Sequence, residues 1–165
     1  MQEMYKPIWI SAIAHLEKFS SIMEKNPWWK VLLSMHKVPA DFPQVQLGSK
    51  GHPIVFFAKG ELKVYERQID FRSDTVDSTG KLQYKNVRTD VNFEIDYASF
   101  RKVERYLHPK PFMKAFNISW ISITYSNNGS TNDILLSKGG TGLDMGSIKT
   151  ANDSLFEQIR MRAGL

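Results

Sequence analysis

The sequence predicts an α+β domain: helices first, then seven candidate strands, then one amphipathic helix at the carboxyl end. Three observations predict it. Apolar residues recur at spacings of three and four from Trp9 to Met35, the period changes to two after Pro53, and helical spacing returns after Thr150. A chain of 165 residues suits one domain with an appended arm and can bury a core without covalent staples. The expected division is a helical arm over 1–50 and a strand-rich domain with its terminal helix over 51–165.

In the arm, Trp9, Ala12, Ile13, Leu16, Phe19 and Met23 make one apolar stripe. Asn26-Pro27 reads as a second helix start, with Asn as N-cap and Pro at the first helical position. Trp28, Val31, Leu32 and Met35 continue that helix's buried face. Pro39 and Pro43 end the helical region, and the run to Gly51 reads as a linker or an extended crossing. The stripe, with Trp28 and Trp29, carries more apolar surface than a free arm leaves in water. The arm is therefore expected to pack on the domain, on a second copy or on a protein partner.

The strand signals follow in order. Ile54 to Phe57 is short and apolar, with Lys59-Gly60 as its expected boundary. Leu62 and Val64 alternate with polar positions, as do Ile69 and Phe71. Asp77-Ser78-Thr79-Gly80 is a turn cluster, and Leu82 and Tyr84 suggest a more polar strand. Val91, Phe93, Ile95 and Tyr97 form the clearest period-two run. Phe100, Val103, Tyr106 and Leu107 then have helical spacing, ended by Pro109 and Pro111. Ile121, Ile123 and Tyr125 pair with Ile134 to Leu136 across the hairpin turn Asn127-Asn128-Gly129. In the last helix Thr150 and Asp153 suggest a capping box, and Leu155, Phe156 and Ile159 its buried face.

This order resembles the pleckstrin-homology-like superfamily, including its GRAM relatives. The resemblance rests on the Ile54–Arg72 pattern IVFFAKGELKVYERQIDFR, the Val91–Val103 stretch VNFEIDYASFRKV and the terminal TANDSLFEQIRMR. It covers about two-thirds of the chain, the usual size of one small domain. It implies a bent seven-stranded antiparallel sheet, or partly open barrel, capped by the C-terminal helix. It also implies lipid or protein binding rather than catalysis. The superfamily's headgroup loop would fall near Lys59-Gly60, where only Lys59, Lys63 and Arg67 are available, a poor phosphoinositide site. The helical N-terminus and the stretch from Pro109 to Phe116 depart from a minimal domain of this kind.

Composition excludes several chemistries. With no cysteine there are no disulfides, thiolate metal sites or cysteine nucleophiles, which fits a reducing, cytoplasmic setting. Glu3, His15, Glu17 and Lys18 interrupt the opening apolar run, so no signal peptide is expected, and no stretch is long enough to span a bilayer. His15, His36, His52 and His108 lack metal-ligand spacing, and no serine sits in a nucleophile elbow. The glycine-rich run Gly139 to Gly146 matches no phosphate-loop spacing and reads as a flexible connection. No cofactor and no metal are expected.

The net charge of +5 is concentrated: residues 97–118 hold five basic residues against one acid. The candidate ligand-binding residues are Arg101, Lys102, Arg105, Lys110 and Lys114, interleaved with Phe100, Tyr106, Phe112 and Phe116. On the expected helix, Arg101 and Arg105 share a face, with Lys102 on its edge. One reading is a solvated helix face backed by core aromatics. The other is a surface for anionic lipid, nucleic acid or an acidic protein. The expected function is a non-catalytic binding module whose partner is a protein or an anionic membrane surface. A nucleic-acid-associated protein using residues 101–114 ranks behind it, and an enzyme with a dispersed site ranks third.

Overall fold

A computed structural model describes residues 2–17, 21, 44–47, 53–74, 88–106, 120–138 and 145–165. The elements are β1 (Glu3–Ser11), β2 (Gln44–Leu47), β3 (Pro53–Phe56), β4 (Ala58–Val64), β5 (Gln68–Ser73), β6 (Asn92–Asp96), β7 (Phe100–Tyr106), β8 (Trp120–Asn127), β9 (Ser130–Lys138) and α1 (Met145–Ala163). Seven strands form one sheet in the order β6-β5-β4-β1-β9-β8-β7, and β2 pairs with β3 apart from it. Every ladder in both sheets is antiparallel.

The sheet must bend, for a reason visible in its connectivity. β6 and β7 are its two outermost strands, yet only a 3-10 turn, Tyr97–Ser99, joins them. Such a link leaves Asp96 and Phe100 at most about 14 Å apart. Seven strands laid flat would put the outer two about 29 Å apart. The sheet therefore curls until its ends meet at this corner. Asp96 secures the turn by accepting from the Ala98 N–H at 2.8 Å, and Ser126 Oγ on β8 donates to the Ser99 carbonyl at 3.5 Å. Among the described residues no ladder joins β6 to β7, so the barrel stays open there.

Alternation then fills the inside of the curl. β4 buries every second residue, Ala58, Gly60, Leu62 and Val64, while Lys59, Glu61 and Lys63 face outward. Ile8 and Ile10 of β1, Ile69 and Phe71 of β5, Ile121 and Ile123 of β8, and Leu136 of β9 join one core and are fully buried. Leu155, Phe156 and Ile159 of α1 complete it. The terminal helix thus covers the core beside β7, β9 and the corner turn. Helix, antiparallel strands and bend agree with the α+β expectation.

Three expectations are corrected. The first concerns the arm. Residues 3–11 are a strand in the middle of the sheet, between β4 and β9. Ile8 and Ile10 face the core, while Trp9 and Ser11 are buried on the other side, where Trp9 stacks on Phe56 at 5.7 Å. A strand buried on both faces reads as a continuous apolar run, which imitated the start of a helical stripe. A bulge between Tyr5 and Ile8 accommodates Pro7, which has no N–H for a ladder. Helical geometry begins only at residues 13–17. The remainder of the expected helices, apart from residue 21, lies outside the described residues.

The second concerns residues 100–106, expected as a helix and found as β7. A register shift between Phe100 and Lys102 leaves Arg101 as an extra residue. Phe100 and Val103 consequently both turn inward at a spacing of three, the spacing of a helix, although the backbone is extended. The third concerns Lys59-Gly60, expected at a strand boundary and found inside β4. The hairpin turn falls instead at Tyr65–Arg67, where Tyr65 N–H donates to the Gln68 carbonyl at 2.9 Å. The expected strand at Leu82 and Tyr84 lies outside the described residues.

Candidate anion-binding surface

The basic candidates sit on an edge strand, and alternation divides them. Val103 is buried, so Lys102 and Glu104 face the opposite side and Arg105 the same side as Val103. Lys102 pairs with Glu104 at 3.0 Å. Arg101, at the bulge, is exposed and its Nη1 donates to the carbonyls of Ala98 and Phe100, both at 3.3 Å. Those bonds fix its side chain over the corner turn without neutralising its charge. Lys110 and Lys114 lie outside the described residues. The shared helical face expected for Arg101 and Arg105 does not exist, because the segment is extended.

Arg105 instead meets α1. Its Nη2 lies 2.7 Å from Asp153 Oδ1, and its guanidinium sits over the Phe156 ring, 4.5 Å from the centroid. Asp153 Oδ2 takes Lys149 Nζ at 3.4 Å, one helical turn earlier. Arg160 approaches the same Phe156 ring at 5.7 Å. Residues 149, 153, 156 and 160 follow spacings of four, three and four, so they form one helical stripe. That stripe was present in the sequence, but its pairing with residue 105 is a long-range contact that no local spacing announces.

The field of this cluster is positive. Arg105 and Lys149 hold the Asp153 carboxyl below its ordinary value of 3.8, the hydrogen bond from Arg105 being the largest cause. Arg160 and Arg162 occupy the last helical turn, where cations complement the helix dipole. Gly164, at φ 70°, ends the helix, its N–H donating to the Met161 carbonyl at 3.2 Å. This is not the capping expected at the other end: α1 starts at Met145, so Thr150 and Asp153 are interior to it and Asp153 serves the ion pairs instead.

The far side of the sheet is charge-balanced. Arg72 bridges Asp70 at 3.0 Å and Glu94 at 2.9 Å, and Lys63 lies 3.5 Å from Glu61. The expected headgroup-loop residues Lys59 and Lys63 therefore stand on a strand with acidic neighbours. Partly buried His15 lies against the Phe57 ring at 4.7 Å. Among the described residues there is no group of three or more His, Cys, Asp or Glu that would hold a metal ion. No helix among them is long and apolar enough to cross a membrane.

No protein-family model matches the chain, and no curated protein matches it. Among solved structures it is similar to the hSac2 domain from human phosphoinositide phosphatase Sac2. The identity is 11%, the match covers 90% of this chain and 82% of that one, and the TM-score is 0.41. A likeness at that level carries no argument about fold or activity.

Proposed function

We propose that this chain is a non-catalytic binding module of the pleckstrin-homology-like kind, and that its ligand is an anionic membrane surface. The observation that carries the reading is the meeting of basic side chains from two elements. Arg105 of β7 meets the α1 stripe that carries Lys149 and Arg160, Arg101 and Lys102 flank it on the same strand, and all five are exposed. Fully buried apolar side chains line the interior of the sheet among the described residues, and the charged groups lie outside it. The bent seven-stranded sheet with its terminal helix supports the superfamily resemblance, at the level of fold alone. The reading sets the module at the cytoplasmic leaflet, where anionic lipids concentrate and each basic residue near the surface contributes about 1 kcal/mol.

The test is the variant with Arg101, Lys102 and Arg105 all changed to Gln. Sedimentation with phosphatidylserine-containing vesicles should recover the parent chain and much less of the variant, and added salt should release the parent. Parent chain that ignores such vesicles, yet binds duplex DNA with a steep salt slope, would transfer the assignment to nucleic acid.

A further inference from the structure

We propose that the Asp153 carboxylate occupies, as an internal stand-in, an anion site formed by Arg105 and Lys149 with Arg160 alongside, and that a lipid headgroup phosphate enters by displacing it. The inference rests on the membrane reading above and adds the site and its regulation.

Each Asp153 oxygen faces one cation, Arg105 at 2.7 Å and Lys149 at 3.4 Å. Two phosphate oxygens can make the same two contacts, and a guanidinium fork matches them well. Arg105 does not depend on Asp153 alone for its placement. Phe156 carries the Arg105 guanidinium on its face and is itself buried, so Arg105 keeps a support when the carboxylate leaves. Arg160, on the same ring, donates from Nε to the Leu165 main-chain oxygen at 3.2 Å. Water reaches all three partners: the side chains of Arg105, Asp153 and Lys149 are 44%, 39% and 78% exposed. Ion pairs this exposed contribute little to stability, so exchanging the carboxylate for a phosphate is not opposed by the fold. The depressed titration of Asp153 shows that the position favours negative charge.

The experiment compares full-length parent, D153N, E61Q and the double variant D153N/R105Q on phosphatidylcholine vesicles containing phosphatidylserine. E61Q changes the net charge by the same unit on β4, away from the site. D153N should bind about fivefold more tightly than the parent, the effect of one basic residue released at an anionic surface. E61Q should stay near the parent, and D153N/R105Q should lose the gain. Thermal melting checks that each variant is folded. Equal gains for D153N and E61Q would overturn the proposal in favour of net charge, as would a D153N that gains nothing while the parent binds. Binding by D153N alone would support the stand-in and confine the membrane reading to the displaced state. Binding by neither would end both. Inorganic phosphate at constant ionic strength should lower the D153N gain, because it competes for the same two contacts, and a gain that phosphate leaves untouched would overturn the phosphate site.

Discussion

The side-chain amide of Asn152 lies against the backbone of Lys138, accepting from its N–H at 2.7 Å and donating to its carbonyl at 3.2 Å. Lys138 is the last residue of β9, and Asn152 does for it what the backbone of another strand would do. Asn152 is 1% exposed, so water cannot replace it. Asn152→Ala should therefore destabilise by about 2–4 kcal/mol, the cost of leaving a buried donor and acceptor unmet. Urea unfolding checks it: the midpoint should fall while the slope stays unchanged.

Gly60 is paired with Ser73 in the β4/β5 ladder. A Cβ there would stand 2.0 Å from the Arg72 carbonyl oxygen and 2.7 Å from Ser73 Cα, and both are backbone atoms that cannot swing aside. Gly60→Ala should cost about 3 kcal/mol through displacement of β5. A variant that melts with the parent would show that the two strands can part without loss.

Tyr97 titrates late. Burial pushes its hydroxyl up from 10.0 to about 12, against the opposing charge of Arg162, and the hydroxyl donates to the Tyr65 carbonyl at 2.9 Å. Folding thus favours the neutral phenol. Its stabilisation is complete below the ordinary pKa of 10.0 and disappears as pH rises from there through about 12. Absorbance titration should show a final tyrosine step near the upper value, absent in Tyr97→Phe. The same variant should be less stable at neutral pH by about 1 kcal/mol and lose less stability on the alkaline side.

Deleting residues 1–50 should abolish folding rather than trim an arm. β4 and β9 meet only through β1, which pairs with both. Without it each keeps an unpaired edge beside a core lacking Ile8 and Ile10. Circular dichroism of the truncated chain should show no cooperative melt. A cooperative transition would mean that another segment can take the place of β1.

Some of this architecture was legible and some was not, for identifiable reasons. Leu62-Val64, Ile69-Phe71 and Phe93-Ile95 each face water on one side, so their alternation survives in the sequence and their strands were found. Asn128 and Gly129 have φ of 48° and 81°, the left-handed pair that an Asn-Gly hairpin turn requires, and that hairpin was also found. Leu155, Phe156 and Ile159 lie on the buried face of α1 as their spacing implied. β1 hid because its second half, Ile8 to Ser11, is covered on both faces, and β7 hid because one inserted residue converts a period of two into a step of three. The candidate site was half legible. Arg101, Lys102 and Arg105 are exposed basic residues on one element, but their division between two faces follows from an extended backbone. Lys149, Asp153 and Arg160 join them only through the docking of α1, which no local pattern encodes.

The strand order has a further consequence, for the route by which the chain reaches this state. β4-β5-β6 and β7-β8-β9 are two meanders in which each strand pairs with its sequence neighbour. These pairings close shorter loops than either pairing of β1 does, which favours their forming first. β1 belongs to neither: it must meet β4 across the first third of the chain and β9 near the opposite end. Contact order therefore puts the pairing of β1, the central strand, late in the expected sequence of assembly. Substitutions at Ile8 or Ile10 should accordingly speed unfolding more than they slow folding.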